Sequence, residues 1–433
     1  MARRAVLFLW ILCLAARGPA ADWAQWRGPD RNGVTSEPSG WPAGWPPKRL
    51  WSRDVGPGCS SPLIVGRHVY VIGWQGKGNL RRNPVGRDIV YCLAARSGDV
   101  VWKRAYRARY QGRFRAGDIG SYGGPSSTPA FDPATGHLYT LGVDGDLRCW
   151  NAREDGRLVW AVNLYEKYKV GRRPDVGGGR RDYGLTSSPL LLGHNVVLEV
   201  GSPEGTVMAF EKETGRRAWS SRCKGPAGHT SGPVALTVDG TPCLATLALR
   251  KLVVMRADQG HEGETLAERP WQTEFACNLA TPAALGRRLL VTSAYNRKRA
   301  VLFTASREGL RPAWTSKQHA LLSSPVIHEG RAFLIFNTLR CLDASTGRLL
   351  WKAGGFGHGS CLATGDGKLI VFSRGRLTLI DPAADRYREL ATVTRVVSGT
   401  CYPHVALANG LVCCRDRRGR VVLFSAAPRS GKE

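Results

Sequence analysis

Cys413 and Cys414 are the one pair of adjacent thiols in this chain. Thiolates are nucleophiles and metal ligands, but these two lie in Leu411-Val412-Cys413-Cys414-Arg415, a run that reads as a β-strand. A disulfide between neighbours needs a distorted peptide that a regular ladder does not accept, so both are expected to be structural. No Cys-x-x-Cys occurs, and none of the nine histidines stands at a ligand-like spacing from another, which disfavours a structural zinc.

The other chemically suggestive residues are basic and aromatic, and they crowd into three stretches. Trp74 to Asp88 carries Lys77, Arg81, Arg82 and Arg87 beside Trp74. Lys103 to Tyr122 carries Arg104, Arg107, Arg109, Arg113 and Arg115, interleaved with Tyr106, Tyr110, Phe114 and Tyr122. Tyr165 to Tyr183 carries Lys167, Lys169, Arg172, Arg173, Arg180 and Arg181, with Tyr165, Tyr168 and Tyr183. Arginine supplies directional hydrogen bonds to anions, and rings supply contact area at small entropy cost. Long loops of this composition are expected to hold a partner.

The whole chain has 62 basic against 34 acidic residues, a formal charge of +28. Only 13 of the basic residues are lysine. The excess points to an anionic partner or to a genome-wide arginine bias, and sequence alone leaves both open. Met1, Arg3 and Arg4, the apolar run Ala5 to Ala16, and Gly18-Pro19-Ala20-Ala21 have the three parts of a secretory signal peptide, expected over residues 1–21. Its apolar run is too short to span a bilayer, which takes ~20 residues, and no later segment is long and apolar enough. The expected location is periplasmic or secreted. In an exported chain the anionic partner is a protein or an acidic envelope component, and no nucleic acid is expected. Without Cys13 eleven cysteines remain, an odd number that cannot all pair within one molecule.

The elements that must position these stretches are repeats. Eight clusters of small residues open apolar stretches: Ser60-Ser61-Pro62, Ser127-Thr128-Pro129, Ser187-Ser188-Pro189, Ser231-Gly232-Pro233, Ala280-Thr281-Pro282, Ser323-Ser324-Pro325, Ser360-Cys361-Leu362 and Cys401-Tyr402-Pro403. Four units close with Gly-x-x-x-Trp, at Gly98 to Trp102, Gly156 to Trp160, Gly215 to Trp219 and Gly347 to Trp351. Their period, near ~47 residues, suits a four-stranded propeller blade. The prediction is an all-β, eight-bladed propeller of antiparallel blades over 48–426, after an extension at 22–47 and before a tail at 427–433. The last unit has three strand-like segments, and Lys48-Arg49-Leu50-Trp51 supplies a fourth. One blade shared between the two ends would close the ring and remove its exposed edges. Small opener residues suit the crowded axis, the glycine suits a positive φ, and the tryptophan can cover the neighbouring blade. The boundaries of blades four and seven stay open. The protein is expected to be a monomer.

Leu342-Asp343-Ala344-Ser345-Thr346-Gly347-Arg348-Leu349-Leu350-Trp351 resembles the repeat of the pyrroloquinoline-quinone (PQQ)-like propeller superfamily. Trp23 to Gly33 resembles the start of exported PQQ-like repeat proteins of planctomycete-type bacteria. That superfamily holds quinoprotein dehydrogenases and non-catalytic members similar to the outer-membrane assembly lipoprotein B. A dehydrogenase of this kind implies PQQ on a tryptophan floor under an adjacent-cysteine disulfide, with calcium held by carboxylate and amide oxygens and an aspartate base. Cys413-Cys414 is the only match to that disulfide. No carboxylate and amide set stands beside the openers, and no Cys-x-x-Cys-His haem motif occurs. The expected function is therefore a non-catalytic binding or assembly scaffold of the bacterial envelope, without cofactor. The alternatives are a quinoprotein oxidoreductase with a reduced site, using PQQ and calcium, and a binder of acidic polymers through the basic loops.

Overall fold

The computed structural model describes residues 22–77, 85–108, 124–179 and 181–427. Eight antiparallel sheets follow one another around a central channel. In the first blade β2 (Leu63–Val65), β3 (His68–Lys77), β4 (Val85–Ala94) and β5 (Val100–Ala108) pair in that order. β2 is innermost and β5 outermost. The later blades repeat this order, which places blade four over Val234–Pro270 and blade seven over Gly359–Val393.

Blade six holds β22 (Val326–His328), β23 (Arg331–Asp343) and β24 (Leu349–Gly357). Its middle element folds back on itself at Asn337, where φ is 57°, and Ala344 N–H donates to Gly330 O at 2.8 Å. Two strands thus run together through one tight turn, and the four-stranded blade of the sequence pattern is present.

Ring closure follows the sequence expectation. β1 (Lys48–Asp54) pairs with β31 (Arg420–Ser425), outside β30 (Leu411–Arg415) and β29 (Ala406–Ala408). The last blade therefore contains both chain ends, and neither end of the ring offers a free sheet edge. Arg415 crosses the seam to donate to Ser60 O at 2.7 Å and Ile72 O at 2.8 Å in the first blade. Burial pushes its guanidinium down to about 10.

Blades pack face to face, so inner and middle strands are buried on both sides. β19 (Arg288–Ser293), for example, is buried at every position after its first. Outer strands such as β5 alternate between buried and exposed, because only one side of each outer residue meets a neighbouring blade.

The Gly-x-x-x-Trp unit joins blades. A Cβ on Gly98, Gly156, Gly215 or Gly347 would come within 2.5–2.6 Å of the indole of Trp51, Trp102, Trp160 or Trp314 respectively. Each tryptophan belongs to the preceding blade and lies on the turn glycine of the next. The Leu-x-Ala alanine completes the joint, because Trp51 and Trp314 donate their indole N–H to Ala95 O at 2.8 Å and Ala344 O at 3.0 Å.

The small opener residues have a role that size alone did not reveal. Ser61 N–H donates to Thr128 Oγ1, Thr128 N–H to Ser188 Oγ, Ser231 N–H to Thr281 Oγ1 and Thr281 N–H to Ser324 Oγ, all at 2.8–3.0 Å. His404 N–H joins the last blade to the first through Ser61 Oγ at 2.8 Å, and Val405 N–H joins it to blade seven through Ser360 Oγ at 3.0 Å. Hydroxyls on adjacent blades thus form a belt around the axis that satisfies buried backbone donors. Most openers precede the innermost strands and do not form them; in blade seven Ser360-Cys361-Leu362 lies within the innermost strand, Gly359–Ala363.

Candidate binding site at the mouth of the channel

The channel is filled from below by the extension that precedes the ring. Trp23 pairs with Ile64 of β2, donating to its carbonyl at 2.8 Å and accepting from its N–H at 3.2 Å. Ala24 O accepts from Phe131 N–H of the second blade at 2.7 Å. The segment rises to residues 26–31, then descends along blade seven, where Ala363 N–H donates to Gly33 O and Thr35 N–H to Ala363 O. Gly28 makes the turn possible: its φ is 82°, and a Cβ there would lie 2.9 Å from the Trp23 ring.

Two arginines lock the tip. Arg27 donates to Asn32 O at 2.6 Å and to Pro325 O of the blade-six opener. Arg31 donates to Pro189 O at 2.8 Å, Ser231 O at 3.0 Å and Ser188 O at 3.2 Å, spanning the openers of blades three and four. Both take positive φ, 63° and 54°, a cost that persists only where surrounding contacts over-determine the backbone. Burial lowers Arg27 to about 10, and burial followed by the charge of Arg27 lowers Arg31 to about 9. Each stays charged at neutral pH. Their guanidinium carbons lie 5.2 Å and 5.4 Å from the centre of the Trp26 ring, which fixes that indole by cation–π contact.

Trp26 is 3% exposed, and above it opens a pocket of about 840 Å³, including its mouth. Its walls come from the opener belt and the connections leading into it. Ser61, Thr128, Thr186 and Ser231 contribute hydroxyls; Tyr183, Tyr295 and Tyr402 contribute rings; His229 and His404 contribute imidazoles. Leu279, Leu321 and Leu322 complete one side. Among the described residues no lysine, arginine, aspartate or glutamate lines it.

Two lining groups are tuned away from acid–base and nucleophilic work. Burial drives His404 down to about 3 and the lining thiol of Cys59 up to about 11. Glu199 lies beneath the residues flanking His229, accepting from Gly228 N–H at 2.8 Å and Thr230 Oγ1 at 2.9 Å. Burial raises its carboxyl. Among the described residues no group of three or more His, Cys, Asp or Glu could hold a metal ion. Calcium takes six to eight oxygen ligands, and this lining offers hydroxyls without a carboxylate. The described residues therefore do not fit a calcium–PQQ dehydrogenase centre.

Cys413 and Cys414 lie in β30, as the strand reading expected. Both are fully buried free thiols in the core, away from the pocket lining, and burial raises both.

The basic candidates are spread differently from a single loop surface. Trp74–Lys77, Val85–Asp88 and Lys103–Ala108 continue the strands β3, β4 and β5, and Leu164–Tyr168 forms the short helix α1. Arg107 and Arg172 are exposed, and Arg104 is half-buried against Gly156 O. Three candidates are withdrawn into the fold. Tyr106 packs on Trp150 under the Arg148 guanidinium; Tyr168 packs on Phe210. Arg173 pairs with Asp182 at 2.8 Å and donates to Gly184 O, Ala227 O and Gly228 O, pinning its own loop to the next blade. Arg181 reaches blade five, donating to Tyr295 Oη at 2.8 Å and lying over Phe275. Arg81, Arg82, Arg109, Tyr110, Arg113, Phe114, Arg115 and Arg180 lie outside the described residues.

Sequence reasoning missed the residues that build the pocket. Trp26 stood in the segment singled out by resemblance, and His404 and Tyr402 flank an opener proline. Their adjacency to openers was the available signal, since every opener faces the axis.

Eight four-stranded blades, tryptophan-on-glycine joints and a ring closed by both chain ends define a PQQ-like propeller. Residues 86–353 match the family described as outer membrane protein assembly factor BamB, and the chain belongs to that family. Its fold is similar to that of BamB from Moraxella catarrhalis, with a TM-score of 0.58 at 12% identity, covering 88% of this chain and 99% of that one. It is also similar to the quinohemoprotein alcohol dehydrogenase of Comamonas testosteroni, with a TM-score of 0.61 at 13% identity, covering 97% and 82%. A curated relative, quinohemoprotein alcohol dehydrogenase ADH-IIG of Pseudomonas putida, is 28% identical over 136 residues. That stretch covers 30% of this chain and only 16% of the dehydrogenase.

Proposed function

We propose that this protein is an exported, non-catalytic propeller that acts as a binding or assembly scaffold in the bacterial envelope. In this reading residues 1–21 are a cleaved signal peptide, residues 22–47 extend from the ring, and residues 48–426 form a monomeric propeller. The observation that carries it is the state of the channel: the chain's own extension fills it, and among the described residues no carboxylate lines the pocket left above Trp26. The partner is a protein or an anionic envelope component. Arg107 and Arg172 offer it exposed charge.

A calorimetric titration of mature protein with PQQ, with and without calcium, tests the non-catalytic reading alongside an alcohol dehydrogenase assay with an artificial electron acceptor. No heat and no turnover are expected. Tight calcium-dependent binding, or turnover, would replace the scaffold by a quinoprotein oxidoreductase.

A further inference from the structure

We propose that the pocket at the channel mouth, with its Trp26 floor, tyrosine walls and rim of serine and threonine hydroxyls, binds a neutral oligosaccharide. The inference goes beyond the scaffold reading, which assigns the pocket no ligand and looks for the partner at the charged outer surface. Its lining combines flat apolar faces with uncharged hydrogen-bonding groups, the composition that matches a pyranose ring. The C–H face of such a ring lies on an aromatic side chain, and its hydroxyls pair with Ser, Thr, Tyr and His, each of which can both donate and accept.

Three features narrow the ligand class. First, among the described residues the walls carry no acidic side chain that would pair with a cation. Tyrosines alone could cage a cation, but Arg27 and Arg31 lie directly against the floor ring and repel one. Second, an extended peptide recognised through its backbone needs a free strand edge. At the axis, Ile64 and Ala363 on two innermost strands are already paired with Trp23, Gly33 and Thr35 of the extension. Third, the aromatic surface runs on beyond the pocket. His358 meets Tyr402 at 5.1 Å, Phe336 meets His358 at 5.6 Å and His319 meets Phe336 at 6.0 Å between ring centres. Burial lowers His319 and His358, so these imidazoles meet a ligand uncharged at neutral pH. Such a crescent leading from a concave end suits a chain of several sugar units more than a single ring.

The test is calorimetric titration of the mature protein with four neutral hexasaccharides, cellohexaose, maltohexaose, xylohexaose and chitohexaose, and with an acidic oligogalacturonate. Saturable one-site binding of at least one neutral hexamer is expected, little changed between low and high salt because no ion pair forms. Tyr402→Ala and Tyr295→Ala should each weaken it on the order of tenfold, the loss of about one good aromatic contact. Ser126→Trp, which fills the pocket from its rim, should abolish it, while Val101→Ser on the outer edge of the first blade should leave it unchanged. Binding of none of the neutral hexamers overturns the proposal. So does binding that survives Ser126→Trp, or tighter salt-sensitive binding of the oligogalacturonate, which would transfer saccharide recognition to the basic surface.

Discussion

His404 shows how one buried side chain ties the pocket to the stability of the ring. Its backbone N–H joins the last blade to the opener belt, and its ring lies 5.5 Å from Trp26. Desolvation, followed by the charge of Arg27, drives its pKa from 6.5 to about 3. The neutral imidazole is therefore the native form, while the unfolded chain takes up a proton below about pH 6.5. Because the unfolded state then binds more protons, stability falls as pH falls, by ~1.4 kcal/mol per unit from this residue alone. Replacing it with glutamine removes that slope. Denaturant unfolding of wild type and His404→Gln should show the stability gap between them shift by about 2 kcal/mol, in favour of the variant, from pH 7 to pH 5. A constant gap would mean that the imidazole titrates alike in both states.

Between blades, the glycine and tryptophan act as one joint. Gly347 has a φ of 73°, and a Cβ on it would sit 2.5 Å from the Trp314 indole. Gly330 has nearly the same φ, 72°, but open space around it. Gly330→Ala should therefore cost only the backbone strain, ~1 kcal/mol, whereas Gly347→Ala adds overpacking and should cost about 2–4 kcal/mol. In the Gly347→Ala, Trp314→Ala double variant the collision is gone, so its loss should be smaller than the sum of the single losses. Equal costs at the two glycines would remove the tryptophan from the explanation. Trp314 fulfils this role although Gly309 and Trp314 are one residue farther apart than in the regular repeat; the strand bulges just before Trp314 as it does before Trp102 and Trp160, so the tryptophan keeps its register on the partner strand.

At the scale of the whole molecule, the extension behaves as a ninth element seated on the axis. It contacts blades one, two, three, four, six and seven through backbone pairing and two guanidinium groups, and so connects blades that do not touch each other. Deleting residues 22–40 should lower the melting temperature on the order of 10 °C, since several buried hydrogen bonds and the Trp26 packing are lost together. A synthetic peptide of that sequence should restore it in a concentration-dependent way, as any ligand of the native state does. If the deletion melts like the full chain, the axis is stable without its filler.

The eightfold repeat, the four-strand blade and the closing strand at Lys48–Asp54 were legible in the sequence because each rests on local pattern. A turn glycine, a tryptophan four residues on and a small opener report contacts within one unit or with the next. Tertiary structure alone decided what lies on the axis. The pocket draws on positions from Trp26 to His404, which only ring closure brings within reach of one another. It also decided which arginines remain exposed. Arg172 and Arg173 are neighbours in sequence, yet one faces solvent and the other is bonded to Asp182 and three carbonyls. Composition records that a guanidinium is present; whether it meets a partner molecule or its own backbone depends on the carbonyls that distant parts of the chain place around it.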